Sequence, residues 1–248
     1  MNGRTAKMSE KVMLITGGSR GLGKKIVERL SANKANKVYY TFAHAEKDGG
    51  GDAENTTAVR CDQNDERQII DCVSNIMRTD GRLDVLVNNA CPPFRSCDFL
   101  LSEWKMFQDL IDVNVRGAYI FSREAARIMK PQEHGKIINI LTSYILNIPP
   151  EKIPHYITAK YALWGLSKAL ASELGRFGIT VNMVSPGLMD TDLSGYLPRR
   201  YLEACAARHP MKRLTTTDDA AKVVEFLVSG MSEFLNGVNI PVNGGDNF

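Results

Sequence analysis

Tyr156 and Lys160 stand four residues apart, and Ser143 precedes the tyrosine by thirteen. A tyrosine ordinarily titrates near pH ~10. One that must give up a proton at neutral pH therefore needs a cation to hold its phenolate. Positions i and i+4 of a helix share a face, which sets Lys160 beside Tyr156. Ser143 ends the run Ile138-Asn139-Ile140-Leu141-Thr142, where a hydroxyl can hold an oxygen that develops negative charge. Singly these are a packed ring, a surface lysine and a capping serine. Together they read as one proton-transfer device.

A second constellation is Thr16-Gly17-Gly18-Ser19-Arg20-Gly21-Leu22-Gly23, between an apolar run at 12–16 and helical periodicity at 22–30. Glycines let a backbone turn tightly against a pyrophosphate, and the helix that follows presents free N–H groups to its charge. The glycines stand at 17, 21 and 23, a departure from GxGxxG spacing.

These groups need a scaffold. Apolar runs at 12–16, 38–42, 57–60, 83–87, 136–141, 179–184 and 238–242 read as strands, and residues 22–30, 65–79, 104–130, 156–176 and 218–228 read as helices. Unbroken apolar strands alternating with helices predict a parallel sheet covered on both faces. The expected fold is one α/β domain over 1–248: a Rossmann-like, three-layer α/β/α, doubly wound sheet. With 44% hydrophobic residues the chain can build such a core. Its net charge of +3 is spread over scattered basic residues, so no nucleic-acid partner is expected. No run is long enough to span a bilayer, and the N-terminus lacks a signal-peptide pattern. Cys61, Cys72, Cys91, Cys97 and Cys205 show no CxxC pair and read as free thiols of a reducing, cytoplasmic compartment. No metal is expected, and the polar segment 47–52 reads as a surface turn.

The motifs TGGSRGLG, NNA, the serine after the later strand and YxxxK resemble the short-chain dehydrogenase/reductase family over nearly the whole chain. Pro186-Gly187 and Val242-Asn243-Gly244-Gly245 resemble most its 3-oxoacyl-[acyl-carrier-protein] reductases. The resemblance implies a catalytic set of Asn114, Ser143, Tyr156 and Lys160: Tyr156 gives the proton, Ser143 holds the carbonyl oxygen, Lys160 lowers the tyrosine pKa and binds ribose, and Asn114 holds a water. It also implies a nucleotide held by Gly17, Ser19, Arg20, Gly21, Leu22 and Gly23, with Asp62 beside adenine and Asn89 and Ala90 against the adenosine. Pro186, Gly187 and Leu188 would face the nicotinamide, and Thr191 a phosphate. Cys91 replaces the glycine usual after NNA and reads as a packed thiol.

No acid stands at the end of the second strand, Tyr40-Thr41-Phe42-Ala43-His44, whereas NAD-selective sites place one there. NADPH/NADP+ is therefore expected, with Arg20 and Thr41 on the 2′-phosphate and His44 or Lys47 as further candidates. Residues 188–214 would form a substrate lid, with Leu193, Tyr196, Leu197, Tyr201 and Leu202 as an apolar roof and Arg199, Arg200 and Arg208 outside. Residues 144–150 would add another apolar wall. The expected substrate is a 3-oxoacyl thioester, carried by an acidic acyl carrier protein that docks on Arg127 and Arg176; Phe177 stands where the second family arginine falls. The family also implies a homo-oligomer, a dimer or tetramer. Two alternatives stay open: the same chemistry on a small free ketone, quinone or polyol, and an idle structural subunit of a hetero-oligomer.

Overall fold

Strand β1 (Val12–Ile15) is wholly apolar and wholly buried, as suits a strand covered on both faces. The computed structural model describes residues 10–43 and 53–246; the surface turn expected at 47–52 lies outside them. Joined to β1 are β2 (Lys37–Phe42), β3 (Thr56–Arg60), β4 (Val85–Asn88), β5 (Gly135–Ile140), β6 (Ile179–Pro186) and β7 (Asn239–Val242), in the order β3-β2-β1-β4-β5-β6-β7. Every neighbouring pair is parallel. The order reverses at β1 and β4, and the crevice at their carboxyl ends is where such sheets hold ligands.

Helices α1 (Gly21–Ser31) and α7 (Thr217–Val228) cover one face, with Ile26, Val27, Val224 and Leu227 packed on Met13 and Ile15. On the other face lie α2 (Glu66–Asp80), α4 (Ala118–Gln132) and α5 (Pro154–Leu174), which bury Ile69, Val73, Phe121, Met129 and Ala171 against Val12 and Leu14. The three-layer, doubly wound reading holds.

The helix expected over 104–130 is divided: α3 (Trp104–Ile111) passes through a π-helical segment, Asp112–Gly117, into α4. α5 starts two residues before Tyr156, with Pro154 in its first turn, where a missing N–H costs nothing. It ends at Leu174, and Arg176 lies in a single 3-10 turn. Residues 199–208, within the segment read as a lid, form helix α6 (Arg199–Arg208).

A buried polar relay sets the height of α5 on the sheet. Asn88 donates to Asn139 Oδ1 at 2.8 Å, Asn139 donates to Ser167 Oγ at 2.7 Å, and Ser167 donates to the Leu163 carbonyl at 2.6 Å. These bonds join β4, β5 and α5 in one register, although the buried Asn88 Oδ1 is left without a partner. Tyr156 and Lys160, about three and two turns earlier on α5, are thereby fixed against the end of β5.

Candidate active site

The glycine turn is a backbone cradle. Gly17 has φ +63°, and a Cβ there would fall 2.9 Å from Ala90 Cα; at Gly23 it would fall 2.1 Å from the Gly17 carbonyl. Thr16 Oγ1 accepts the Asn89 and Ala90 N–H groups at 3.0 Å, and the Asn89 amide donates to the Thr16 and Gly17 carbonyls at 2.9 and 3.1 Å. This locks the ends of β1 and β4 together. Arg20 is the N-cap of α1 but makes no capping bond, so the helix keeps its first N–H groups for another acceptor.

The lid begins over the same turn. Thr191 Cβ lies 3.9 Å from the point a Cβ on Gly21 would occupy, and Asp192 Oδ2 is 3.7 Å from Arg20 Nη1. Gly187 follows β6 so closely that a Cβ would stand 2.6 Å from Thr215 Oγ1. Asp62, at the end of β3, shapes its own turn by accepting the Asn64 N–H at 2.9 Å.

Thr41 departs from expectation. Its side chain is buried under the glycine turn, where Oγ1 accepts the Gly17 N–H at 3.1 Å and its carbonyl accepts the Gly18 N–H. A hydroxyl enclosed by backbone cannot face a 2′-phosphate, so Thr41 supports the turn. Arg20 is well exposed, and His44 and Lys47 lie outside the described residues.

Across the crevice, Ser143 opens a 3-10 turn after β5, fully buried, its hydroxyl without a hydrogen-bond partner. Tyr156 is buried and Thr142 hydrogen-bonds its side chain. Lys160 is buried too; its Nζ donates to the Ile140 carbonyl at 2.9 Å and stands 5.7 Å from the centre of the Tyr156 ring. The three predicted groups therefore converge at the end of β5. Burial drives the tyrosine well above its ordinary pKa, against the Thr142 bond, and drives the lysine down. Depression of the tyrosine by Lys160 is not found, because the ammonium faces the ring and a backbone carbonyl, and desolvation dominates. Tyr156 is held as a neutral acid.

Asn114 joins them through the π segment. Its Nδ2 donates to Leu110 O at 3.0 Å and to Cys91 Sγ at 3.6 Å, which leaves the buried Oδ1 without a partner. Cys91 is packed as expected, against the cluster of Leu110, Ile153 and Tyr156, and it also accepts from Asn114. It does not adopt positive φ, so the loop needs no glycine there, and its sulfur orients the asparagine. Burial raises the Cys91 thiol pKa, opposed by Lys160 and Asn114.

Sequence reasoning missed Phe94 and His155, which carry no motif. Phe94 stacks on Tyr156 with centroids 4.6 Å apart and planes 18° apart, and meets Tyr196 of the lid at 5.6 Å. His155 is fully buried, with Phe94 and Phe107 against its ring. Of the expected roof, Leu202 is buried, Leu193, Tyr196 and Leu197 are half-buried, and Tyr201 is 48% exposed. A cavity of about 320 Å³ lies between Pro93, Phe94 and Arg95 on one side and Asp192, Leu193 and Tyr196 on the other. In the second wall Ile145 is buried and Ile148 exposed.

Arg176 lies twenty residues beyond Tyr156, just past the end of α5, which at 1.5 Å per residue of helix is about 30 Å from the tyrosine. It stacks on Phe177, and Arg127 is paired with Glu124 at 2.8 Å. Arg176 therefore stands away from the tyrosine of its own chain.

A parallel sheet of this order with a glycine-rich first turn is the framework of dinucleotide-binding oxidoreductases. The chain belongs to the short-chain dehydrogenase/reductase family: a family model described as enoyl-(acyl carrier protein) reductase matches residues 17–247. It is 32% identical to the 3-oxoacyl-[acyl-carrier-protein] reductase FabG of Buchnera aphidicola subsp. Baizongia pistaciae, over 96% of this chain and 98% of the relative. It is 34% identical to xanthoxin dehydrogenase of Arabidopsis thaliana, over 95% and 89%. The structure of ElxO with NADP bound superposes with a TM-score of 0.86 at 31% identity, covering 95% of this chain and 98% of that one. The protein is therefore an oxidoreductase of a family that uses nicotinamide nucleotides.

Proposed function

We propose that the protein is a cytoplasmic NADPH-dependent ketoreductase that converts a 3-oxoacyl thioester to its 3-hydroxyacyl product. The observation that carries this reading is the pair of buried, partnerless acceptors and donors, Ser143 Oγ and Asn114 Oδ1, beside a neutral Tyr156 and a buried Lys160. Such groups are costly unless a ligand completes them. The glycine cradle, whose backbone leaves no room for a Cβ, and the uncapped N-terminus of α1 fit a dinucleotide pyrophosphate.

Gly17, Ser19, Gly21, Leu22 and Gly23 would hold the pyrophosphate, Arg20 the 2′-phosphate, and Asp62, Asn89 and Ala90 the adenosine. Pro186, Gly187, Leu188 and Thr191 would close over the nicotinamide half from the lid at 188–214. When bound, the reduced nucleotide supplies a hydride to the carbonyl carbon. Ser143 holds the carbonyl oxygen, Tyr156 protonates it, Lys160 stands by the phenolate that results, and Asn114 Oδ1 accepts from a water that returns the proton.

NADPH is favoured by exposed Arg20 at the turn, by the acid-free end of β2 and by the NADP in ElxO. The thioester is favoured by the relative named FabG and by the apolar lid. A carrier protein would then meet the exposed lid residues Arg200 and Arg208, or arginines of a second copy. Homo-oligomer formation is favoured by α5, whose outer side exposes Tyr161, Ala162, Gly165 and Ala169. A small free ketone is the second reading, favoured by the modest cavity. The test is NADPH oxidation with 3-oxoacyl carrier conjugates, carrier-free thioesters and free ketones, using Tyr156→Phe as control. No turnover of any carbonyl would leave the idle-subunit reading.

A further inference from the structure

The cleft between Phe94 and the lid has an aromatic wall, fixed in place by its stack on Tyr156. Phe94 follows Cys91-Pro92-Pro93, and two consecutive prolines remove most backbone freedom ahead of it. Its ring is held by Tyr156 stacked at 4.6 Å, by the edge of His155 at 5.6 Å and by Tyr196 of the lid at 5.6 Å. Ring and lid both line the cavity of about 320 Å³, whose other sides are Pro93, Leu193 and the charged lip Arg95 and Asp192.

Resting on the ketoreductase reading, we propose that Phe94 and Tyr196 select a carbonyl whose apolar substituent is a compact flat ring, not a flexible chain. Volume agrees: a cavity of ~150 Å³ holds benzene, so an open cleft of about 320 Å³ has room for a ring against Phe94 and Tyr196. The chemistry agrees as well. Aromatic side chains prefer rings in offset or edge-on contact, a gain corresponding to roughly two- to tenfold in affinity for each pair. A flexible chain must in addition be immobilised, which a ring avoids. Phe94 cannot turn aside without giving up its stack on the tyrosine that donates the proton, so the wall and the acid are positioned together. The charged lip is where a thioester arm would leave, so the selection applies to a free ring ketone and to a ring-bearing 3-oxo thioester alike.

The experiment compares two carrier-free N-acetylcysteamine thioesters, 3-oxo-3-phenylpropanoyl and unbranched 3-oxooctanoyl, in NADPH-dependent reduction by the full-length protein. The expected result is a kcat/KM for the phenyl substrate at least roughly tenfold higher. Phe94→Leu should remove most of that preference, read as the ratio of the two kcat/KM values whatever the common loss from unstacking Tyr156, and Tyr196→Leu should narrow the ratio from the opposite wall. Nucleotide binding by fluorescence titration confirms that each variant is folded. Equal kcat/KM values for the two substrates, a preference for the chain, or equal losses on both in Phe94→Leu would overturn the selection while leaving the ketoreductase reading intact. Failure of both thioesters and of cyclohexane-1,4-dione to oxidise NADPH would overturn both.

Discussion

Cys91 and Asn114 are joined by an N–H···S contact of 3.6 Å, and it decides which way the asparagine amide points. With Nδ2 committed to this sulfur and to Leu110 O, Oδ1 is left facing the site. Removing the sulfur strands a buried N–H, at a cost of about 1 kcal/mol for so weak an acceptor. We predict that Cys91→Ala lowers kcat roughly fivefold with KM little changed, and that Cys91→Ser restores most of the loss. Steady-state kinetics of both variants provide the check; a wild-type kcat in Cys91→Ala would assign the sulfur to packing.

Tyr156→Phe keeps the ring that stacks on Phe94 and removes the proton. Reduction should fall by roughly 10²–10⁴, while NADPH affinity stays within about threefold. Because burial raises the tyrosine pKa, the donor remains protonated as pH rises. The reductive rate should accordingly show no loss from Tyr156 deprotonation up to about pH 9. A descending limb near neutral pH that vanishes in Tyr156→Phe would contradict this.

The strands were legible because buried parallel strands are plain apolar runs, and the glycine turn because only glycine tolerates those contacts. Less local features were not. Asn114 sits in a π segment whose loosened carbonyl at Val113 accepts from Gln63 at 3.0 Å, and Gly117 allows that glutamine to approach. The partner is fifty residues away in sequence, so the run DVNVRG reads as ordinary helix. Thr41 failed for a related reason: strand alternation says that a side chain turns to one face, and here the glycine turn covers that face. Phe94 lies outside every strand and helix read from the sequence, and only the packing of α5 sets it against Tyr156. The distance of Arg176 from Tyr156 was not legible either, because matching a residue to a family position gives no distance in the fold.

His155 should make the fold acid-sensitive. Burial lowers its pKa, opposed by the Arg95 backbone, and its ring neighbours are Phe94 and Phe107. Below the unfolded value near pH ~6.5 the unfolded chain binds a proton that the folded chain resists. This residue's stabilising contribution is therefore complete above that pH and declines as pH falls toward the lowered folded value. The limit at about pH 5 is a loss of about 2 kcal/mol. Urea titrations near pH 8 and pH 5 should show the decline in the wild type and a smaller one in His155→Leu, whatever the offset between the two proteins. Parallel pH dependences would assign the acid sensitivity to other groups.

Arg20 and Asp192 make the last prediction, since they set a charge balance over the cradle. Their 3.7 Å pair joins the glycine turn to the lid, and with both side chains more than half exposed it is weak by itself. A 2′-phosphate carries up to two negative charges and offers Arg20 a charge-assisted bond, so it competes with Asp192 for the same guanidinium. Arg20→Ala should weaken NADPH binding by roughly tenfold and leave NADH nearly unchanged. Asp192→Asn should act oppositely, tightening NADPH a few-fold by removing a repelling carboxylate, with the gain shrinking as salt screens it. Calorimetric titration of both nucleotides at low and high salt separates these effects. If Asp192→Asn tightened NADH and NADPH equally, its carboxylate would be acting on lid closure and not on the 2′-phosphate, and the selectivity would rest on Arg20 alone.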